Sequence, residues 1–252
     1  MFRPEALEPV LKALRLPTFS RRWEPLHQQA IQENWSLPEY LFHLAEEELH
    51  SREQQRLQRY QREAHLPPGK GLEQFNFSLS PASQAQFSQL ASDPGWLKRA
   101  ENLLLFGPSG TGKSHLAAAI GYGQVQRGQR VLFTSATALI QQLQQAHQHL
   151  QLAQALTRLE RYSLLIVDDL GYVKPSNADA SVLFELIAHR YESGSLLITS
   201  NQPFSQWESL FGDALTTVAA IDRLVHHALI LEVGGPSYRR AESERRAQQL
   251  KR

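Results

Sequence analysis

The run Gly107-Pro108-Ser109-Gly110-Thr111-Gly112-Lys113-Ser114 restricts the folds open to this chain more than any other stretch. It reads G-x-x-x-x-G-K-S, follows the apolar Leu103-Leu104-Leu105-Phe106 and precedes Leu116-Ala117-Ala118-Ala119-Ile120. A strand, a glycine-rich turn and a helix in that order make a phosphate-binding loop. The glycines let successive N–H groups turn toward phosphate oxygens, and the helix adds the positive end of its dipole. Lys113 is then placed to reach the β and γ phosphates, and Ser114 to hold Mg²⁺ through its hydroxyl.

Downstream, short apolar runs alternate with helical stretches. Val131–Thr134 reads as a second strand, after a helix that Gly128 stops. A Gln-rich stretch follows in which Leu139, Leu143, Ala146, Leu150 and Ala153 mark an apolar stripe, predicting a helix or a helical pair on the sheet. Leu164-Leu165-Ile166-Val167 is a continuous apolar run of the kind a buried parallel strand requires. A helix over about 180–191, capped by Gly194, leads to the strand Leu196–Thr199. A last helix over about 216–226 precedes a fifth strand at Leu229–Val233. The pattern predicts an α/β fold with a parallel sheet covered on both faces, and ligands at the carboxyl ends of its strands.

Residues 1–66 look different, being helical throughout. Ser36 with Glu39 forms a capping-box pattern, and Leu37, Leu41, Leu44 and Leu49 mark the apolar stripe of a helix reaching about Tyr60. Arg52, Arg56, Arg59 and Arg62 fall along one side of it. Two readings fit that basic stripe: a track for a phosphate backbone, or a solvated face paired with Glu48, Glu53 and Glu63. His43, Glu47 and His50 also share a face, where ordinary exposed side chains outweigh a metal site. Pro67-Pro68-Gly69-Lys70-Gly71 breaks the helix, and Phe75 and Phe77 then alternate with polar residues. That segment is expected to run extended, either as core packing or as a wall of the base pocket. The expected divisions are 1–66 (helical domain), 67–80 (linker), 81–236 (α/β core) and 237–252 (basic tail).

Cysteine is absent, which excludes disulfides, thiolate catalysis and Cys-ligated zinc. A net charge of +1 gives no global argument for nucleic acid. The start carries no secretory pattern and no apolar run approaches a membrane span, so a cytoplasmic protein with no membrane partner is expected.

Leu164–Val167 ends in Asp168-Asp169. A carboxylate there holds Mg²⁺ opposite Ser114, and its neighbour can orient the attacking water. Asp168 is therefore assigned to the metal and Asp169 to the water. Asn201, after the fourth strand, is a candidate for holding the same water or the γ-phosphate. Arg223, far along the chain, is a candidate for the positive charge that phosphoryl transfer needs; a surface Arg–Asp pair with Asp222 fits its local sequence equally well.

Together Lys113-Ser114, Asp168-Asp169-Leu170-Gly171-Tyr172, Thr199-Ser200-Asn201-Gln202-Pro203-Phe204 and Asp222-Arg223-Leu224-Val225-His226-His227 resemble the IstB family, AAA+ ATPases that insertion sequences encode as helpers of a transposase and that are similar to DnaC helicase loaders. Leu14-Arg15-Leu16-Pro17 and Leu72-Glu73-Gln74-Phe75-Asn76-Phe77 extend the resemblance to the N-terminal part. It implies a P-loop AAA+ core with a small N-terminal helical domain, ATP and Mg²⁺ as cofactors, and ATP-dependent homo-oligomers on duplex DNA that assist the transposase. It also implies that Asn201 is the sensor 1 residue, Arg223 an arginine finger acting on a neighbouring subunit, and Arg239 a sensor 2 candidate. One departure is visible: Asp169 stands where many AAA+ proteins carry Glu. A helicase loader is the alternative from another class. A small-molecule kinase is disfavoured, because no acceptor site or Arg-rich lid follows the second strand.

Overall fold

Five apolar runs pair into one parallel sheet: β1 (Asn102–Phe106), β2 (Val131–Ser135), β3 (Leu164–Asp168), β4 (Ser195–Ser200) and β5 (Ala228–Glu232), in the order β2-β3-β4-β1-β5. The computed structural model that shows this describes residues 6–172, 177–207, 211 and 214–238. The central strands β3 and β4 are buried along their whole length, as the apolar runs Leu164–Val167 and Leu196–Ile198 predict. Side chains still alternate between faces. Leu104, Leu165 and Val167 enter one core, while Leu103, Leu105, Leu164, Ile166 and Leu197 enter the other.

The first core is closed by α7 (Ala136–Gln148), α8 (Leu152–Glu160), α9 (Asn177–Arg190) and α10 (Ala214–Val225). The second is closed by α6 (Lys113–Gln126), which packs in turn against α4 (Gln84–Ser92), with α5 (Gly95–Lys98) beside it. Because α6 lies between sheet and helix, it is buried nearly all round, and small residues line it. A side chain at Gly123 would strike the Ala91 carbonyl, which is how closely α6 and α4 approach. Gln124 fastens the pair by donating to the Leu90 and Asp93 carbonyls at 2.7 and 2.9 Å.

Two compact units divide the chain, Met1–Arg59 and Tyr60–Arg252. The first contains α1 (Leu7–Ala13), α2 (Pro17–Gln32) and most of α3 (Leu37–Glu63). Ser36 and Glu39 form the reciprocal cap expected of them: Glu39 accepts from the Ser36 N–H at 2.7 Å, and its own N–H reaches the Ser36 hydroxyl at 3.4 Å. The apolar stripe of α3 departs from expectation. Only Leu44 of its four leucines is buried; Leu37, Leu41 and Leu49 are 81%, 58% and 68% exposed. The buried position is instead taken by Glu48, whose carboxylate accepts the Thr18 N–H at 2.8 Å and pairs with Arg52 at 2.7 Å. A carboxylate caps the start of α2 here, so helical periodicity in leucine alone misjudged which face turns inward.

Three further differences are local. The Gln-rich stretch is a helical pair, but its stripe stops at Ala146, because Leu150 takes a left-handed turn (φ 57) and stands 95% exposed. The second helix then restarts its inward face at Leu152, Leu156 and Leu159. Glu192 (φ 55), not Gly194, supplies the left-handed residue after α9. The segment expected to be extended makes two 3₁₀ turns, Leu72–Gln74 and Phe77–Leu79, with an extended Phe75 between them.

Candidate nucleotide site

Gly107, Gly110 and Gly112 all have positive φ, at 147°, 84° and 98°. L-residues avoid this region, so the motif's glycines are conformational requirements. The loop is also walled in. A Cβ at Gly107 would run into the Val233 carbonyl and one at Gly110 into the Ser237 side chain, while Phe75 closes over Gly112. Backbone bonds fix the wall, with the Val233 N–H on the Phe106 carbonyl at 2.7 Å and the Tyr238 N–H on the Gly110 carbonyl at 3.0 Å. Thr111 bridges the loop internally by donating to the Pro108 carbonyl at 2.9 Å. Lys113, 5% exposed, holds its ammonium against the Gly107 and Pro108 carbonyls at 2.8 and 2.9 Å. Lys113 and Ser114 open α6, whose 14 residues aim their N-terminus at the loop.

Beside the loop, His115 donates from Nε2 to the Gly71 carbonyl at 2.9 Å, and Phe75 stands edge-on to its ring at 5.3 Å. Burial, aided by the Lys70 charge, pushes this imidazole below its ordinary pKa, so it is neutral at pH 7. Phe77 packs on Phe75 at 4.7 Å. The aromatic pair thus flanks the glycine turn.

On the other side of β4, Asp168 ends β3 at 9% exposure. β1 and β3 both neighbour β4, so the loop and Asp168 leave the same sheet edge about 10 Å apart. Thr199, absent from the sequence-based site, organises the carboxylates: its hydroxyl donates to Asp168 Oδ1 at 2.6 Å and accepts the Asp169 N–H at 2.9 Å. That second bond holds Asp169 in a left-handed conformation, φ 59, turning it away from the strand path. The register would have revealed this, since Val167 faces Ile198 and the next pair along is Asp168 with Thr199. Asn201 packs against Gly171, and its Oδ1 is buried without a partner among the described residues. An amide oxygen in that state is suited to accepting a hydrogen bond from a bound water.

Arg223 is elsewhere. It lies near the end of α10, whose Leu224 carbonyl accepts from Asn102 at 3.0 Å; Asn102 begins β1 and the loop follows its end. The five residues of that strand separate them by roughly 16 Å. The guanidinium donates to the Ala219 carbonyl at 2.9 Å and lies 5.2 Å from the Phe184 ring centre. Arg239 and the rest of the basic tail from 239 to 252 lie outside the described residues. In the N-terminal unit Arg52 pairs with Glu48 and Arg56 with Glu53, whereas Glu63 pairs with Arg130 at 3.0 Å. Glu47 is taken by Arg22 at 2.6 Å and His43 stacks on Trp35 at 4.3 Å, so the His43–Glu47–His50 face is engaged in other contacts.

These residues fit a nucleoside triphosphate with Mg²⁺: a glycine cradle that any Cβ would fill, a lysine at its mouth, a hydroxyl and a carboxylate for a hard cation, and an unpartnered buried amide oxygen. Among the described residues no helix is long and apolar enough to cross a membrane.

The model of the family of IstB-like ATP binding proteins matches residues 9–246. A putative insertion sequence ATP-binding protein of Sinorhizobium fredii is 50% identical over 232 residues, covering 92% of this chain and 78% of that protein. The IS21 putative ATP-binding protein of Pseudomonas aeruginosa is 36% identical, covering 95% and 90%. A crystal structure of the DnaC helicase loader superposes with a TM-score of 0.54 at 17% identity, over 66% of this chain and 97% of that one. A DNA replication initiation factor gives 0.54 at 19% identity, over 67% of this chain; the chain spans half of that protein's length. At such identities these two structures establish the fold, that of a P-loop AAA+ protein.

Proposed function

The chain belongs to the family of IstB-like ATP binding proteins, and from that premise we propose that it is a Mg²⁺-dependent ATPase that assembles on duplex DNA and assists an insertion-sequence transposase. The observation carrying this reading is the separation of Arg223 from the loop of its own chain by the length of a strand. A phosphate-directed arginine there serves a nucleotide on the next subunit, which makes ATP an adhesive between copies.

In this reading the Gly107–Ser114 amides and the Lys113 ammonium bind the phosphates, the ammonium exchanging loop carbonyls for phosphate oxygens. Ser114 and Asp168 would hold Mg²⁺, which would supply positive charge against the phosphates. Thr199 fixes the Asp168 carboxylate and aims Asp169, which takes the proton of the attacking water. Asn201 holds that water or a γ oxygen through its amide. Arg223 of one copy neutralises charge on the γ-phosphate bound by its neighbour, and Arg239 remains the sensor 2 candidate. Residues 1–66 serve as a helical partner-binding domain, 67–80 as a linker, 81–236 as the ATPase core and 237–252 as a basic contact for DNA or transposase.

Mixing variants tests the interface. Arg223→Ala and Lys113→Ala should each abolish ATP hydrolysis, while their mixture should recover part of it, because some interfaces then combine an intact loop with an intact finger. A mixture as inactive as its components, or an active Arg223→Ala, refutes the arrangement. The fold shared with a DnaC helicase loader favours a second reading, in which the N-terminal unit grips a replicative helicase. Electron microscopy with duplex DNA and ATP separates the two: ATP-dependent assemblies on duplex support the helper, and binding confined to helicase or single strands supports the loader.

A further inference from the structure

Two turns at the end of the sheet away from the phosphate loop bring Glu192, His226 and His227 together. Glu192 follows α9, and the two histidines join α10 to β5. Their ligand atoms all lie within 4.8 Å of one another, the one such triple of His, Asp or Glu among the described residues. The imidazoles are 3.9 Å apart centre to centre, and all three side chains are exposed. His227 Nε2 stands 3.8 Å from Glu192 Oε1, beyond hydrogen-bond range though close enough for both to reach one ion.

Tyr191 supplies the independent observation. Its hydroxyl is 2.7 Å from His226 Nδ1. In the tautomer where the phenol oxygen accepts from Nδ1–H, the Nε2 lone pair of His226 is left free. Metal-bound histidines are held in this way, one ring nitrogen donating to an oxygen while the other binds the ion. Two neutral imidazoles and a carboxylate form the donor set of borderline divalent cations, zinc above all, and a hard cation such as Mg²⁺ prefers oxygen alone. Asp222 and Arg223 lie on the preceding turn of α10 with opposite charges, and Glu101, which faces His227, is paired with Arg99 at 2.7 Å.

We propose that Glu192, His226 and His227 bind one divalent transition-metal ion of the zinc class, with Tyr191 holding His226 in the required tautomer. The bound ion ties the end of α9 to the end of α10. Arg223 sits three residues before His226, so metal occupancy stiffens the turn that presents the finger; this consequence rests on the role proposed for Arg223, whereas the binding site does not.

Isothermal titration of the full, tag-free chain with Zn²⁺, in excess Mg²⁺ and without nucleotide, tests the site, with Co²⁺ absorption bands reporting the ligand field. The expected result is one equivalent per chain, lost in His226→Ala/His227→Ala and weakened about 10-fold or more in Tyr191→Phe. No uptake by the parent chain overturns the proposal. So does unchanged uptake by the double variant, which would put the ion elsewhere, for instance on His147 and His149. Should the double variant misfold, Glu192→Gln decides: affinity must fall at least 10-fold, and an unchanged value overturns the site. Saturating Zn²⁺ should alter ATP hydrolysis by the parent chain and not by Glu192→Gln. Binding without that effect refutes only the coupling, and a chain that binds Zn²⁺ but hydrolyses no ATP counts against the ATPase reading alone.

Discussion

Arg190 is 2% exposed, yet among the described residues no carboxylate hydrogen-bonds it; its guanidinium is held by backbone carbonyls. It donates to Leu159 at 3.2 Å, Tyr162 at 2.9 Å and Ser195 at 2.8 Å, with Ser163 at 3.5 Å. One side chain thereby staples the end of α8, the entry to β3 and the start of β4. Burial lowers its pKa to about 10, which leaves it charged at neutral pH. Arg190→Met keeps most of the aliphatic stem and removes the fork, leaving the buried Tyr162 and Ser195 carbonyls without that donor, while Leu159 still accepts the Tyr162 N–H at 3.1 Å. At about 1–3 kcal/mol per orphaned group, less the relief of a buried charge, the net loss should be about 3–4 kcal/mol. For a domain of this size that lowers Tm by about 10 °C. A cycle with Gly194 sharpens the test. A Cβ at Gly194 would lie 2.6 Å from the Arg190 Cζ, and the pinned guanidinium has nowhere to go. Gly194→Ala should therefore be costly in the parent chain and nearly neutral beside Arg190→Met, giving a coupling above about 1 kcal/mol in denaturant titrations. A Tm drop under about 2 °C for Arg190→Met, or additive costs for the two changes, refutes the staple.

Thr199→Val keeps the shape and removes the hydroxyl shared by Asp168 and Asp169; kcat for ATP should fall about 100-fold through misplacement of the carboxylates, measured at saturating Mg²⁺ and ATP. Lys113→Ala should weaken ATP binding about 100-fold in equilibrium titrations, as loss of a charged hydrogen-bond donor does. Glu48 titrates below its ordinary 4.5, because burial, which raises it, is outweighed by Arg52 and the Thr18 and Phe19 N–H groups. A lowered folded pKa gives stability that is present above the unfolded value and is lost as pH falls through the folded one. Glu48→Gln should therefore cost about 2 kcal/mol at pH 7 and progressively less below pH 4.5, read from Trp23 and Trp35 fluorescence; a pH-independent difference would contradict this.

Much of this molecule was written locally. The glycine loop, the β1 and β3 runs and the Asp168-Asp169 pair are each specified by a few adjacent residues, and they fold where their sequences place them. What escaped depends on partners distant in the chain. Glu48 is buried because Thr18, thirty positions earlier, needs an acceptor, and no periodicity in α3 records that. Leu150 looked like part of a stripe, but a left-handed turn broke the phase. Gly194 looked like a cap, whereas its lack of a side chain makes room for Arg190. Thr199 became visible only through strand register, a property of the assembled sheet.

The wall that Val233 to Tyr238 raises behind the glycine loop also imposes an order on synthesis and folding. Residues 107–114 emerge from the ribosome long before residues 233–238, and sequence separation of that size makes the contact slow to form. Until β5 docks beside β1, Gly107 and Gly110 lack the neighbours that hold their conformation. A partly made chain thus carries the whole motif without the shaped cradle, and nucleotide capture becomes a late event that reports on a completed edge strand.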